Sequence, residues 1–353
     1  MSLRLVTNLS SVRCAILLLV LVVSFSACTD ENQTDNQPDL SIRFEVPAGF
    51  PPPVYGFQNN PLTQEGFELG RALFYDPILS RDSTISCGSC HQQFVAFAHS
   101  EHRFSHGIDD LIGNRNSPGL FNLAWHPEFM WDGGVNHLEV QPLAPITNPI
   151  EMDETIQQVN LKLQRSATYP NRFLKAFGTD SITTQLVMRA MTQFMGAMVS
   201  ADSRYDRYRS GMVSFDDSEN RGLQLFRSHC ENCHSEPLLS DFTYRNNGLS
   251  TQFNADPGRV SITQLPGDSG KFKVPSLRNV VLTPPYMHDG RFNDLEAVLN
   301  HYSQGILQSS TLDTTLPAGG MQLSTQEKAD IIAFLSTLTD NTFIRDRRFS
   351  EAP

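Results

Sequence analysis

Cys87-Gly88-Ser89-Cys90-His91 is the stretch on which the reading of this chain turns. Two thiols at this spacing, with a histidine directly after the second, form the attachment signature of a c-type haem. The thiols add to the haem vinyl groups, and the imidazole takes the proximal position on the iron. The signature returns at Cys230-Glu231-Asn232-Cys233-His234. One such match can arise by chance, whereas two in one chain argue for two covalent haems. A four-thiolate zinc site is the competing reading of the pairs. Zinc, however, gives no reason for a histidine at the same place after each pair. The expected cofactors are therefore two covalently bound haem c groups, with His91 and His234 as axial ligands.

Working outward, each signature is preceded by the same helical stretch. Gly70-Arg71-Ala72-Leu73-Phe74 matches Gly222-Leu223-Gln224-Leu225-Phe226, an internal repeat of a cytochrome c unit. Gly66 to Phe74 has helical periodicity and stops at Asp76-Pro77. Further helices are expected over Thr155 to Leu163, Pro170 to Phe177, Ile182 to Val199 and Thr325 to Leu338. The last carries the capping-box pair Ser324 and Glu327. Met188, Met191, Met195 and Met198 form a stripe that reads as core packing rather than ligation. No sheet pattern stands out beyond short hairpins. The expected fold is mainly α: two cytochrome c-like haem domains in tandem, over residues 62–212 and 213–345.

The bulk properties agree. At 353 residues, with 39% hydrophobic and 18% charged residues, the chain can build two cores. A formal charge of -11 gives no electrostatic reason to bind nucleic acid. Of six cysteines, four sit in the haem signatures, and Cys14 and Cys28 make no disulfide framework. Arg4 and Arg13 flank a basic start, and Ala15 to Val23 is apolar. Nine residues are too few to span a bilayer, which takes about 20, so the run reads as a signal-peptide core. Ser26-Ala27-Cys28 resembles the lipobox of a bacterial lipoprotein, although Phe25 stands where Leu is usual. The expectation is a lipoprotein-type signal peptide over 1–28, lipidated at Cys28. Ordinary cleavage near Ala27 and an uncleaved anchor are the alternatives. Residues 29–61 read as a flexible tether with a Pro-rich lead-in. The protein would sit in the cell envelope, on the periplasmic side or at the outer membrane, touching the membrane only through its lipid.

Several stretches beyond the haem signatures resemble the bacterial di-haem cytochrome c peroxidase family and, within it, the MauG-like branch. They are Leu69 to Phe74, Arg115-Asn116-Ser117-Pro118, Trp131-Asp132-Gly133-Gly134, Leu138 to Pro142 and Asn148-Pro149-Ile150-Glu151-Met152. In the second half they are Asp256 to Arg259, Lys273 to Asn279 and Thr283 to Arg291. The resemblance implies that an N-terminal haem reacts with hydrogen peroxide and a C-terminal haem relays electrons to it. It implies Glu151 as the distal acid, Gln141 as a hydrogen-bonding distal residue and Pro145 as a residue shaping the pocket. Trp131 would lie between the haems. Asn116, Thr283 and Pro285 would hold one Ca2+ through a side-chain oxygen and two backbone carbonyls. Trp125 matches nothing in the family pattern.

The sixth ligands follow from the same resemblance. Tyr302 occupies the position where many family peroxidases carry Met and the MauG-like branch carries Tyr; Met287, His288 and His301 are rivals. Other members place a blocking His in the loop before Arg-Asn-x-Pro, where this chain has Ile108. His106 is near, with His99 and His102 earlier, but the preferred reading leaves the N-terminal iron open. The partners implied are hydrogen peroxide and a small donor protein, a cytochrome c or cupredoxin. A MauG-like enzyme would instead modify a protein substrate. A non-catalytic dihaem electron-transfer cytochrome is a third reading, which would not need Gln141 and Glu151.

Overall fold

The computed structural model describes residues 42–100 and 102–351. The leader, Cys28 and the first part of the expected tether lie outside the described residues. The fold is mainly helical. Its only paired strands among the described residues are Tyr244–Arg245 and Phe272–Lys273, antiparallel, with Tyr244 opposite Lys273. No helix is long and apolar enough to cross a membrane among the described residues.

The repeated stretch explains itself in three dimensions. In the first copy, the Gln64–Tyr75 helix is capped by Thr63 and buries Phe67, Leu69, Gly70, Leu73 and Phe74. Gly70 lies against the Thr184–Gly196 helix so closely that a Cβ would overlap the Ala190 carbonyl, and Phe74 meets Phe194 at 5.2 Å. In the second copy, the Asp217–His229 helix starts on an Asp216/Glu219 capping box. A Cβ on its Gly222 would overlap the Asp330 carbonyl of the Thr325–Ser336 helix, and Phe226 meets Phe334 at 4.9 Å. The glycine lets two helix backbones touch, and the phenylalanine one turn later fills the space beside the contact. The copies share sequence because they share this crossing.

Each crossing seeds a hydrophobic cluster. The first runs from Phe67 to Met198 and takes in all four methionines of the stripe. The second runs from Tyr205 to Leu338. The chain end then returns, because Phe343 and Phe349 pack into the first cluster. The Pro-rich lead-in is also tied down. Ile42 donates its N–H to Gln64, Tyr55 donates its N–H to the Ala124 carbonyl, and Phe44 and Phe50 flank Trp125. Trp125 is a buried structural residue, and its Nε1 donates to the Pro51 carbonyl at 2.7 Å. Ser41–Pro353 form one compact unit.

The other expected helices occur at Ile156–Arg165, Tyr169–Phe177 and Thr184–Gly196, each close to its expected limits. The Thr325–Ser336 helix carries the Ser324/Glu327 capping box.

Candidate active site

Cys87–Cys90 forms a single helical turn that starts on a Ser86/Ser89 capping box. The turn ends at His91, whose Nδ1–H donates to the Phe97 carbonyl at 2.7 Å. Burial pushes this imidazole down to about 4, against the pull of that carbonyl, so the ring is neutral. With Nδ1 engaged, Nε2 is the nitrogen left to bind iron. His91, Cys87 and Cys90 line a cavity of about 350 Å³, a size ordinary for a cofactor site.

The same cavity is lined by Gln141, Pro145, Glu151 and Trp131. Pro145 sits in the short Leu143–Thr147 helix, and its carbonyl accepts from the Met152 N–H at 3.2 Å. Glu151 follows in a turn where its Oε1 accepts from the Asn148 amide at 2.7 Å. Burial raises the Glu151 carboxyl above its usual range, and the Asn148 bond only partly opposes it. Gln141 points its amide toward the Met130 sulfur at 3.9 Å. Met191 and Met195, from the core stripe, form part of the cavity wall.

The loop before Arg115 lies directly on Glu151. Ile108 is buried, and its N–H donates to the Glu151 carbonyl at 2.8 Å. Gly107 is pressed so closely to the Glu151 backbone that a Cβ would overlap it. His106 lines the cavity, with its Nδ1 2.5 Å from Asp110 Oδ1. His99 bonds Ser105, and His102 stacks on His99 at 4.7 Å.

The second signature is built differently. The Asp217–His229 helix runs straight into Cys230, its C-cap. His234 Nδ1 lies 3.2 Å from the Leu239 carbonyl and 3.1 Å from the Pro275 carbonyl, again leaving Nε2 for iron. Cys233 and His234 line a smaller hollow of about 90 Å³, together with Asn247, Met287 and His288. Tyr302 lies in a short π-helical segment, His301–Gly305, and its hydroxyl oxygen accepts from Asn247 Nδ2 at 3.1 Å. Burial pushes this hydroxyl up to about 12. Two of its rivals have contacts of their own. His288 stacks on Phe272 at 3.6 Å, and His301 Nε2–H donates to the Asn247 carbonyl at 2.9 Å.

Four residues line both hollows: Trp131, Lys273, Val274 and Pro275. Trp131 is held by its Nε1–H to the Asn116 carbonyl at 2.8 Å and by the Lys273 N–H to its own carbonyl at 2.7 Å. Asn116 in turn donates its N–H to the His288 carbonyl at 2.7 Å, which ties it to the Thr283–Arg291 stretch. No group of three His, Cys, Asp or Glu side chains that could hold a metal ion occurs among the described residues.

Residues 64–214 match the family model of the di-haem cytochrome c peroxidases. The chain is 34% identical to the methylamine utilization protein MauG of Methylorubrum extorquens, over 89% of this chain and 88% of that one. It is 31% identical to the cytochrome c551 peroxidase of Pseudomonas aeruginosa, over 82% of this chain and 83% of the relative. A crystal structure of a MauG-like protein associated with microbial copper homeostasis superposes with a TM-score of 0.81 at 33% identity. That match covers 88% of this chain and 99% of the other.

The chain belongs to the di-haem cytochrome c peroxidase family. As a member it is an oxidoreductase of the peroxidase class, and the family implies two haem c groups. The donor sets fit them. Each signature presents two thiols and a histidine whose Nδ1 faces a backbone carbonyl, the arrangement that orients Nε2 for iron. For a di-haem peroxidase, some contacts were not readable in the chain. Asn148 belongs to the Asn148–Met152 motif, and the three-residue spacing is the signal for its side-chain bond to Glu151. Lys273 in the shared wall lies inside the Lys273–Asn279 motif, yet nothing in that motif says it faces two cavities. Asn247 belongs to no motif and left no signal.

Proposed function

We propose that this chain reduces hydrogen peroxide at the haem carried by Cys87, Cys90 and His91, using electrons relayed from the haem carried by Cys230, Cys233 and His234. The observation that carries this reading is Glu151, a carboxyl with a raised proton affinity, lining the same cavity as the first haem signature. When bound, the haem iron supplies the redox chemistry of O–O cleavage. The protein must supply proton transfer, because turning one peroxide into two waters consumes two protons with the two electrons. Glu151 Oε1 holds the Asn148 amide, so Oε2 is the atom assigned to take a proton from the incoming peroxide and return it to the departing oxygen. Gln141 orients peroxide by a hydrogen bond, and Pro145 shapes the wall beside it. Trp131, common to both hollows, lies on the electron route.

At the second haem Tyr302 would supply the sixth ligand. Asn116, Thr283 and Pro285 would hold one Ca2+ through amide and carbonyl oxygens, donors that suit calcium; the Asn116 N–H bond to the His288 carbonyl, which ties Asn116 to the stretch that carries the other two, supports this reading. The twin helix crossings support a tandem of haem domains over 62–212 and 213–345. The leader supports export to the cell envelope with a lipid at Cys28, and the donor is a small cytochrome c or cupredoxin.

A second reading, a MauG-like oxidase that spends peroxide on a partner protein, is favoured by Ile108. The loop that carries a blocking His in other members is here fastened to the Glu151 backbone through a buried isoleucine. Steady-state turnover of peroxide with a reduced small cytochrome or cupredoxin tests the first reading. Turnover that Glu151→Gln abolishes is the expected result. Reaction of peroxide with the fully oxidised protein, without turnover of any donor, replaces it with the second reading.

A further inference from the structure

Asn247 stands between the two side chains that compete to close the second haem. Its Nδ2 lies 3.1 Å from the Tyr302 hydroxyl oxygen and 3.5 Å from the Met287 sulfur. A primary amide has two N–H groups, one for each acceptor. Asn247 lines the same hollow as Cys233, His234 and Met287. We propose that Asn247 is a positioning residue that selects the sixth ligand of the C-terminal haem, steadying Tyr302 for the iron and restraining Met287 from it. This inference rests on the reading that Tyr302 is that ligand.

Asn247 is placed firmly enough for the task. Its backbone carbonyl accepts from His301 Nε2, and His301 directly precedes Tyr302 in the same π-helical segment. Asn246, its neighbour, bonds Ser309 and Thr311 through its amide and accepts the Gly248 N–H through its Oδ1. The selector and the selected tyrosine are therefore tied to each other through both backbone and side chain. Met287 is held on the other side in a left-handed backbone conformation, with φ of 75°.

Both hydrogen bonds act in one direction. An N–H aimed at the tyrosine oxygen favours the phenolate over the neutral phenol, and the phenolate is the form that binds oxidised iron. An N–H aimed at a sulfur occupies electron density that the sulfur would otherwise offer to a metal. A tyrosine oxygen favours oxidised iron, and a methionine sulfur raises the potential. Asn247 therefore keeps the potential of this haem low.

The test uses the full chain loaded with both haems. Asn247→Leu keeps the branched outline and removes the amide, while Asn247→Asp keeps the shape and replaces both N–H groups with a carboxylate. Near-infrared and electron-paramagnetic spectra of the oxidised protein, with the midpoint potential of each haem, are the readouts. In both variants the C-terminal haem is expected to move from oxygen toward sulfur ligation, with a raised potential in the uncharged Asn247→Leu, while the N-terminal haem keeps its signals. Adding Met287→Leu to either variant should remove the sulfur signature. A C-terminal spectrum and potential unchanged in either variant overturns the proposal. Loss of the oxygen signature with no sulfur signature overturns the restraint on Met287. Tyr302→Phe in the otherwise intact chain separates the two levels, because an unchanged spectrum there sinks the ligand assignment itself.

Discussion

The two haem signatures start from one local design and end in different surroundings. Both follow a helix whose glycine touches a partner helix backbone, at Gly70 on Ala190 and at Gly222 on Asp330. After that the chain diverges. Cys87 lies seventeen positions after Gly70, but Cys230 only eight positions after Gly222. The extra length in the first copy holds a 3-10 turn, Pro77–Leu79, and a separately capped turn for the cysteines. The second copy has no such insert, and its helix runs straight into Cys230. Beyond the histidines the contrast widens. The first faces a large cavity walled by Gln141, Pro145 and Glu151, and the second faces a small hollow crowded by Met287 and Asn247. A repeat can thus duplicate the anchoring of a cofactor without duplicating its chemistry, because anchoring is local and chemistry belongs to what packs on the other side.

The largest expected effect strikes only the first site. Glu151→Gln should keep both haems and their spectra, yet slow the reaction with peroxide by about 10²- to 10⁴-fold, the usual worth of a general acid–base group. Stopped-flow mixing with peroxide measures it, and an unchanged rate removes Glu151 from the mechanism. The next effect should be equal at both sites. Gly70→Ala and Gly222→Ala each force a methyl into a backbone carbonyl across a helix crossing. Overpacking of this kind costs about 1–3 kcal/mol, readable as a lowered melting temperature. If only one of the pair destabilises, the crossings are not equivalent and the duplication argument weakens.

A smaller effect should appear in the pH profile. In the proposed role the carboxylate form of Glu151 takes the peroxide proton, so the rate should fall as pH drops through its folded pKa. Burial raises that pKa, which places the falling limb above the ordinary carboxylate range. Glu151→Gln should erase the limb, and a limb that persists in the variant belongs to another group. The smallest change is expected from Trp131→Phe. It retains an aromatic ring in the shared wall but loses the Nε1–H bond to the Asn116 carbonyl. Electron transfer from the second haem to the first should slow, while the direct reaction of the first with peroxide holds. Equal slowing of both steps would show that the ring supports the peroxide cavity rather than the route between sites.

Much of this was legible before any fold was known. The haem signatures, the repeat and the helix limits appear within a few residues of one another along the chain, where spacing carries the information. The candidate residues Gln141, Pro145 and Glu151 came from motif resemblance, and the structure brings all three to the cavity of the first signature. Tyr302 was harder. Its hydroxyl rests on Asn247 within reach of the second site, and Met287 lines the hollow itself. Trp125 gave no functional signal, and its burial against Pro51 accounts for it as packing.

The sequence by itself determined the two haem signatures and the helices that lead into them, because signature spacing and helix periodicity are set by near neighbours. Only the tertiary structure decided what each site faces. Trp131, Lys273, Val274 and Pro275 become one wall between two hollows, and Phe343 and Phe349 close the core of the distant first half. Asn247 reaches both Met287 and Tyr302 across 40 and 55 positions of chain. Such contacts follow no period, and their partners are chosen by how the helices pack rather than by any pattern along the chain.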